Sequence, residues 1–428
     1  MTAPEEEIGI SVYWTKGIPG IGGRLKILPE DFIVEERSIF PPEDPDGEVT
    51  VAIVRHTNWE MNRLVRRLGT NLRIGRNRIA FAGTKDKRSV ATQLMTFQAP
   101  MDHVAAVTIP DVDFLRLYRA RGMTRLGALL GNDFRIRVKE IAADAADGRI
   151  EGISSEIERL GGFPNFFGVQ RFGVTRPITH LIGKAMVKGD FEKAVAIYLS
   201  EETEYEHEDC RDARRFVAET GDYSKALEVF PPTLTFERMM LGHLSRSPGD
   251  FPGAIRALPR NLVMMFVHAY QSFLFNRILS RRIISGLPLD QAVIGDVVLP
   301  LDKNGNPDHR RYIRVDDGNL ERVNEQISLG KGFVSGSLFG SSPALAEGVM
   351  GGIEKKVVED EAIGSDDFIV AEIMRASSRG MRRELLSPVK DLRCEIDKAE
   401  AVFSFGLNKG CYATSLLREF MKSPMICY

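Results

Sequence analysis

Long apolar runs are missing from this 428-residue sequence: no eighteen consecutive apolar residues occur, which leaves no candidate for a membrane-spanning helix. Cysteine is scarce. Cys210, Cys394, Cys411 and Cys427 lie far apart and form no CxxC pair, so neither a disulfide framework nor a zinc knuckle is suggested and reduced thiols are expected. The seven histidines never fall at HxxxH or HExxH spacing, so no metal site is expected. A phosphate loop is lacking as well. KGIPGIGGR (16–24) contains no GxGxxG and no GK[ST] and follows no strand; it reads as a turn that lets the chain approach another backbone. The opening MTAPEEEIGISVYWTKGIPG is acidic where a secretory signal would be basic and then apolar, which predicts a cytoplasmic address and no membrane, and no obligatory protein partner is evident in the sequence.

What is present is enough for a folded protein of two or three domains, with 43% hydrophobic residues to fill a core. The formal net charge of -2 conceals opposed patches. Between Arg55 and Arg88 stand ten cations against two acids, Glu60 and Asp86. Acid is gathered instead in EETEYEHED (201–209) and VVEDEAIGSDD (357–367), segments that would face away from a polyanion.

Hydrophobic spacing outlines the elements. LKILPEDFIVEER alternates Phe32 and Val34 with charges, as a half-buried strand does. TNWEMNRLVRRLG has Thr57 and Glu60 at capping-box spacing, Met61, Leu64, Val65 and Leu68 at helical spacing, and Gly69 as the expected stop. RIAFAG and VATQLMTFQA read as strands on either side of polar TKDKRS, and GNDFRIRVKEI alternates Phe134, Ile136 and Val138 inward. From about Lys184 the pattern changes to longer helical stretches, and EAVFSFGLNKGCYATSLLREFMK (400–422) returns to strand, turn and helix. Strand-rich ends around a different middle suggest a discontinuous domain with an insertion.

Three features could carry chemistry. Arg63, Arg66 and Arg67 make a helix face with few matching acids, suited to phosphate contacts; a plain solvated surface is the alternative. PNFFGVQRFG (164–173) clusters aromatics with Asn165, Gln170 and Arg171, which fits either a core or a surface where a base stacks and meets amides. Asp86 stands alone among cations on its loop. It is an Asx-turn residue on one reading, and on the other a nucleophile or general base whose charge Lys85, Lys87 or Arg88 would stabilise. His268, in an apolar helix, receives no role.

Six segments, in order, resemble one family, the TruD-like tRNA pseudouridine synthases: LKILPEDFIVEE (25–36), FAGTKDKRSVATQ (81–93), LGALLGNDFRIRV (126–138), PNFFGVQRFG (164–173), HAYQSFLFN (268–276) and LNKGCYATSLLRE (407–419). The resemblance implies an enzyme that isomerises uridine in RNA to pseudouridine without a cofactor, at uridine 13 in the D-arm of tRNA. It places the family's catalytic aspartate on Asp86 and its substrate-binding residues on Lys26, Lys85, Asn165, Phe167 and Tyr412. Phe167 is expected to stack on the extruded uracil and Asn165 to bond near the carboxylate or base, with Lys26 and Lys85 meeting phosphate or carboxylate. Arg63, Arg66, Arg67, Arg88 and Arg171 are expected along the RNA backbone.

NKGCYATS is similar to the KGxYxR element of other pseudouridine synthases, but Thr414 occupies the place of the arginine that pairs with the aspartate, which leaves Lys85 or Arg171 as candidate partners. The fold implied is α+β: a curved, mixed and mainly antiparallel sheet with helices, interrupted by a family-specific insertion. The catalytic domain is expected over 1–183 and 377–428 and the insertion over 184–376. A non-catalytic RNA-binding or RNA-folding protein, or a synthase acting on another RNA, is the alternative.

Overall fold

The computed structural model describes residues 5–428. It is an α+β protein whose largest sheet is mixed and mainly antiparallel. One compact unit comprises Thr15–Phe163, Ser387–Ser423 and Cys427–Tyr428. Its nine-stranded sheet runs, neighbour to neighbour, Val389–Asp397, Glu400–Asn408, Leu129–Ile141, Phe32–Ser38, Val90–Phe97, Val49–Thr57 and Val112–Ala120, with Gly22–Arg24 added on Leu129–Ile141 and Ile79–Phe81 on Val90–Phe97. Every pairing is antiparallel except Phe32–Ser38 with Val90–Phe97.

The alternation read from the sequence is the alternation of the sheet. Phe32, Val34, Ile136 and Val138 are buried, and Phe134 stacks on Phe405 at 5.4 Å. The arginine helix is Met61–Leu72, and Met61, Leu64, Val65 and Leu68 enter the core as their spacing requires. Four such side chains contribute on the order of 6–12 kcal/mol before the entropy of ordering them is subtracted. Both helix ends differ from expectation. Thr57 closes the preceding strand, and Glu60 alone caps the helix, accepting from Asn62 N and Arg63 N at 2.8 Å each. The helix passes through Gly69 and ends at Arg73, which adopts the left-handed conformation (φ 53°). Gly69 lies a turn before that end: its carbonyl accepts the closing bond from Ile74 N at 2.9 Å, and a Cβ there would lie 3.0 Å from the Ile74 carbonyl oxygen. Gly20, in the glycine-rich turn, does meet another backbone, since a Cβ there would lie 2.3 Å from the Met421 carbonyl.

The other compact unit runs over Pro164–Leu386 with residues 5–14 and Pro424–Ile426. It is built on the 25-residue helix Arg260–Ile284, with shorter helices and a four-stranded sheet ordered Ile313–Arg314, Val297–Pro300, Gly332–Leu338, Met381–Glu384. Thr179–Val187 packs so closely on the long helix that a Cβ at Gly183 would lie 2.0 Å from the Phe266 carbonyl. The compact units divide at Phe163/Pro164 and Leu386/Ser387, and the helix Thr179–Val187 lies wholly in the second. No helix among the described residues is long and apolar enough to cross a membrane.

Each unit buries a histidine. His56 is held to about 4 by burial and then by the charge of Lys85, and neither ring nitrogen has a hydrogen-bond partner among the described residues. His180 is likewise lowered to about 4, chiefly by burial, between Phe172 and Phe273. Below pH 6.5 the unfolded chain therefore takes up protons that the folded chain refuses until about pH 4, and stability falls as the pH drops through that window. The loss at pH 5 is about 2 kcal/mol for each histidine. Thermal unfolding at pH 5 should begin roughly 5 °C below that at pH 7; a midpoint unchanged between the two would contradict this burial.

Candidate active site

Asp86 stands on the loop 82–89 between the antiparallel strands Ile79–Phe81 and Val90–Phe97. The loop backbone is pinned. Ser89 Oγ donates to the Asp86 carbonyl at 2.6 Å, Ser89 N to the Lys87 carbonyl at 3.0 Å, and Asn58 N to the Ser89 carbonyl at 3.0 Å. From this fixed loop two adjacent side chains leave differently. Lys85, 4% exposed, reaches the fully buried carboxylate of Glu36 at 2.6 Å, and the other Glu36 oxygen accepts from Ser38 Oγ at 2.7 Å. Asp86, 40% exposed, meets Lys26 Nζ at 2.8 Å through Oδ2, while no donor among the described residues reaches Oδ1. The carboxylate accepts no backbone N–H, so the Asx-turn reading does not describe it.

Lys26 is therefore the cation at Asp86, in place of Lys85, which is spent on Glu36. Its backbone adopts the left-handed conformation, φ 56°, uncommon for a residue with a Cβ. Its ammonium lies 4.6 Å from the centre of the Phe32 ring, which fixes the approach of the charge. The next carbonyl, that of Ile27, accepts from Arg88 Nη2. Arg88, expected on RNA, thus ties the Lys26 loop to the Asp86 loop.

Asn165 and Phe167 lie in the second unit, where both are buried. Asn165 Nδ2 donates to the Glu384 carbonyl at 3.0 Å and to Glu384 Oε1 at 3.1 Å, and Asn165 Oδ1 accepts from Arg383 Nη2 at 2.7 Å. Both amide hydrogens are committed to Glu384 inside this unit. Glu384 Oε2 lies 2.9 Å from His309 Nε2. Burial alone would raise the Glu384 carboxyl, but the His309 bond and the Arg383 charge hold it below its ordinary value.

The Arg383 guanidinium sits 4.2 Å over the Phe167 ring, with Phe275 edge-on at 5.6 Å and Arg171 at 5.7 Å. Asn276 fixes the Phe167 backbone from both sides, accepting from its N–H at 2.9 Å and donating to its carbonyl at 3.1 Å. At 6% exposure Phe167 is not a bare stacking platform; one face carries Arg383. Arg171 donates to Ser272 Oγ at 3.2 Å.

Arg383, Glu384 and His309 escape a reading of the sequence. The only local signal is the charged triplet in MRRELLSP, and 218 positions separate Arg383 from Asn165. Tyr412 occupies the N-cap position of the helix Ala413–Met421, its carbonyl accepting from Ser415 N at 3.0 Å. Arg63, Arg66 and Arg67 are exposed on their helix.

The family model for tRNA pseudouridine synthase D (TruD) matches residues 7–420. Relatives bearing the name "Probable tRNA pseudouridine synthase D" include one from Methanosarcina mazei, 39% identical over 98% of this chain and 97% of its own length. Another, from Methanococcoides burtonii, is 40% identical over the same shares. One from Thermoplasma acidophilum is 40% identical over 93% of each. A crystal structure of a Methanosarcina mazei protein described as tRNA pseudouridine synthase D matches with a TM-score of 0.84 at 38% identity, covering 100% of both chains. With its described fold and these matches across nearly its whole length, the chain belongs to the tRNA pseudouridine synthase D (TruD) family.

Proposed function

We propose that the chain isomerises uridine to pseudouridine in tRNA, at uridine 13 of the D-arm, with Asp86 as the reacting carboxylate and without a cofactor. Family membership supports the reaction, and one observation supports the residue: a loop aspartate with one oxygen held by Lys26 at 2.8 Å and the other open. The isomerisation breaks the N1–C1′ bond and forms C5–C1′, and the proton lost at C5 is matched by one gained at N1. No oxidant or group donor enters the balance. The reacting atoms are shielded in a stacked helix, so the nucleotide must be extruded first.

On this reading the unit holding Asp86 is the catalytic domain and the unit over Pro164–Leu386 is the inserted one. Asn165 and Glu384 act as positioning residues for Arg383, which lies 4.2 Å over the Phe167 ring. Arg63, Arg66 and Arg67 contact phosphates, whereas Arg88 and Arg171 brace the protein itself.

The test is pseudouridine mapping of an unmodified tRNA transcript after incubation with the purified chain and with Asp86→Asn, both with a metal chelator. A new pseudouridine in the D-arm made only by the unaltered chain is expected. Product from Asp86→Asn would remove the aspartate from the chemistry, and product elsewhere in the transcript would remove the assigned position. The neighbouring pair predicts a different phenotype. Glu36→Ala leaves the buried Lys85 charge unpaired and should lower stability by about 3–5 kcal/mol, while Asp86→Asn leaves the melting temperature near that of the unaltered chain. Equal melting temperatures for both variants would contradict the division of labour between Lys85 and Asp86.

A further inference from the structure

Beside the arginine helix lies a cavity of about 460 Å³ lined by Trp59, Arg63, Arg66, Arg67, Thr70, Ile109 and Pro110. Neither Asp86 nor Lys26 lines it, so it holds nothing that could carry the isomerisation. Its volume is in the range of sites that take one small ligand, about 300–1,000 Å³. Its chemistry is narrow. Arg63, Arg66 and Arg67 are exposed and have no ion pair or side-chain hydrogen bond among the described residues, and the one nearby acid, Glu60, is committed to capping Asn62 N and Arg63 N.

Trp59 supplies the other element. Its Nε1 donates to the Pro110 carbonyl at 3.1 Å, which fixes the plane of the indole, and its ring packs partly on the core. Arg63 lies 5.8 Å from the ring centre, one helical turn further along. A fixed aromatic plane with Arg63 over it and two uncommitted guanidinium groups, Arg66 and Arg67, beside it fits a base and the phosphates that flank it: stacking on the indole is indifferent to base identity, and the arginines take the charge.

We propose that this cavity binds one unpaired nucleotide of the RNA substrate, other than the uridine that is isomerised, with its base on Trp59 and its flanking phosphates on Arg66 and Arg67. The inference rests on the proposed action on tRNA. It also explains a connection in the backbone. Asn58, left-handed at φ 58° and next to Trp59, donates to the Ser89 carbonyl, and Ser89 in turn holds the Asp86 carbonyl. A nucleotide seated on Trp59 is therefore placed in register with the loop that carries the reacting carboxylate.

The test uses the full chain and an unmodified tRNA transcript. Affinity is measured across salt concentrations for the unaltered chain, Trp59→Phe, Trp59→Leu, and Arg66→Glu with Arg67→Glu. Trp59→Phe keeps a stacking face and should bind within a few-fold of the unaltered chain. Trp59→Leu keeps apolar bulk without the face and should bind roughly tenfold more weakly with the salt dependence unchanged. The double arginine variant should bind more weakly and with a flatter dependence on salt. Affinity unchanged in Trp59→Leu would overturn the proposal.

Ultraviolet crosslinking of the unaltered chain, which needs no variant to fold, should join a nucleotide to the peptide carrying Trp59, and absence of that adduct would overturn it too. These are binding measurements, so their failure is separable from that of the proposed reaction: product without the Trp59 contact contradicts only this inference, and the contact without product contradicts only the reaction.

Discussion

Lys85 and Asp86 are neighbours in the chain with opposite charges and opposite destinations, and the loop that carries them can satisfy both only in one conformation. An ammonium buried to 4% exposure requires a carboxylate, and Glu36 on the parallel neighbouring strand supplies it at 2.6 Å. With Lys85 drawn inward, Asp86 is turned to the open side, where Lys26 meets it. The Ile27 carbonyl and the Arg88 guanidinium then join the two loops, so that the geometry of the aspartate is set by the sheet and not by the substrate. Removing the inward pair would remove the constraint that turns Asp86 outward toward Lys26.

The same economy of charge appears in the second unit. Glu384, completely enclosed, stays below its ordinary carboxylate value because His309 and Arg383 both face it, and Asn165 spends its whole donor capacity on Glu384. The result is a guanidinium held 4.2 Å over the Phe167 ring. A buried polar network is fixed only when each member finds its partner, and this one is satisfied at both ends of the amide.

Much of this was legible in the sequence, and the reasons divide cleanly. Strands such as Phe32–Ser38 and Leu129–Ile141 announce themselves because period-two burial is written residue by residue, and the helix Met61–Leu72 because four apolar positions share one face. The loop position of Asp86 followed from the two apolar stretches around it. Helix ends were less legible: Glu60 caps without Thr57, and Gly69 is kept for a close carbonyl contact, since caps depend on the tertiary path that the chain takes next. Partnerships were not legible at all. Lys26 and Asp86 stand 60 positions apart, and Asn165 and Arg383 stand 218 apart. Adjacent Lys85 invited pairing with Asp86, yet neighbours on an extended loop point to different sides, and the nearer residue in sequence is the farther in function.

Lys26 holds the Asp86 carboxylate by one oxygen at 2.8 Å. The most direct measurement is the single-turnover rate of pseudouridine formation at saturating enzyme for Lys26→Met and Lys26→Arg beside the unaltered chain, with melting temperatures in parallel. If the ion pair orients the reacting oxygen, Lys26→Met slows the step by about a hundredfold or more, some 3 kcal/mol of barrier, while Lys26→Arg retains part of the rate. A rate in Lys26→Met equal to that of the unaltered chain would contradict the account.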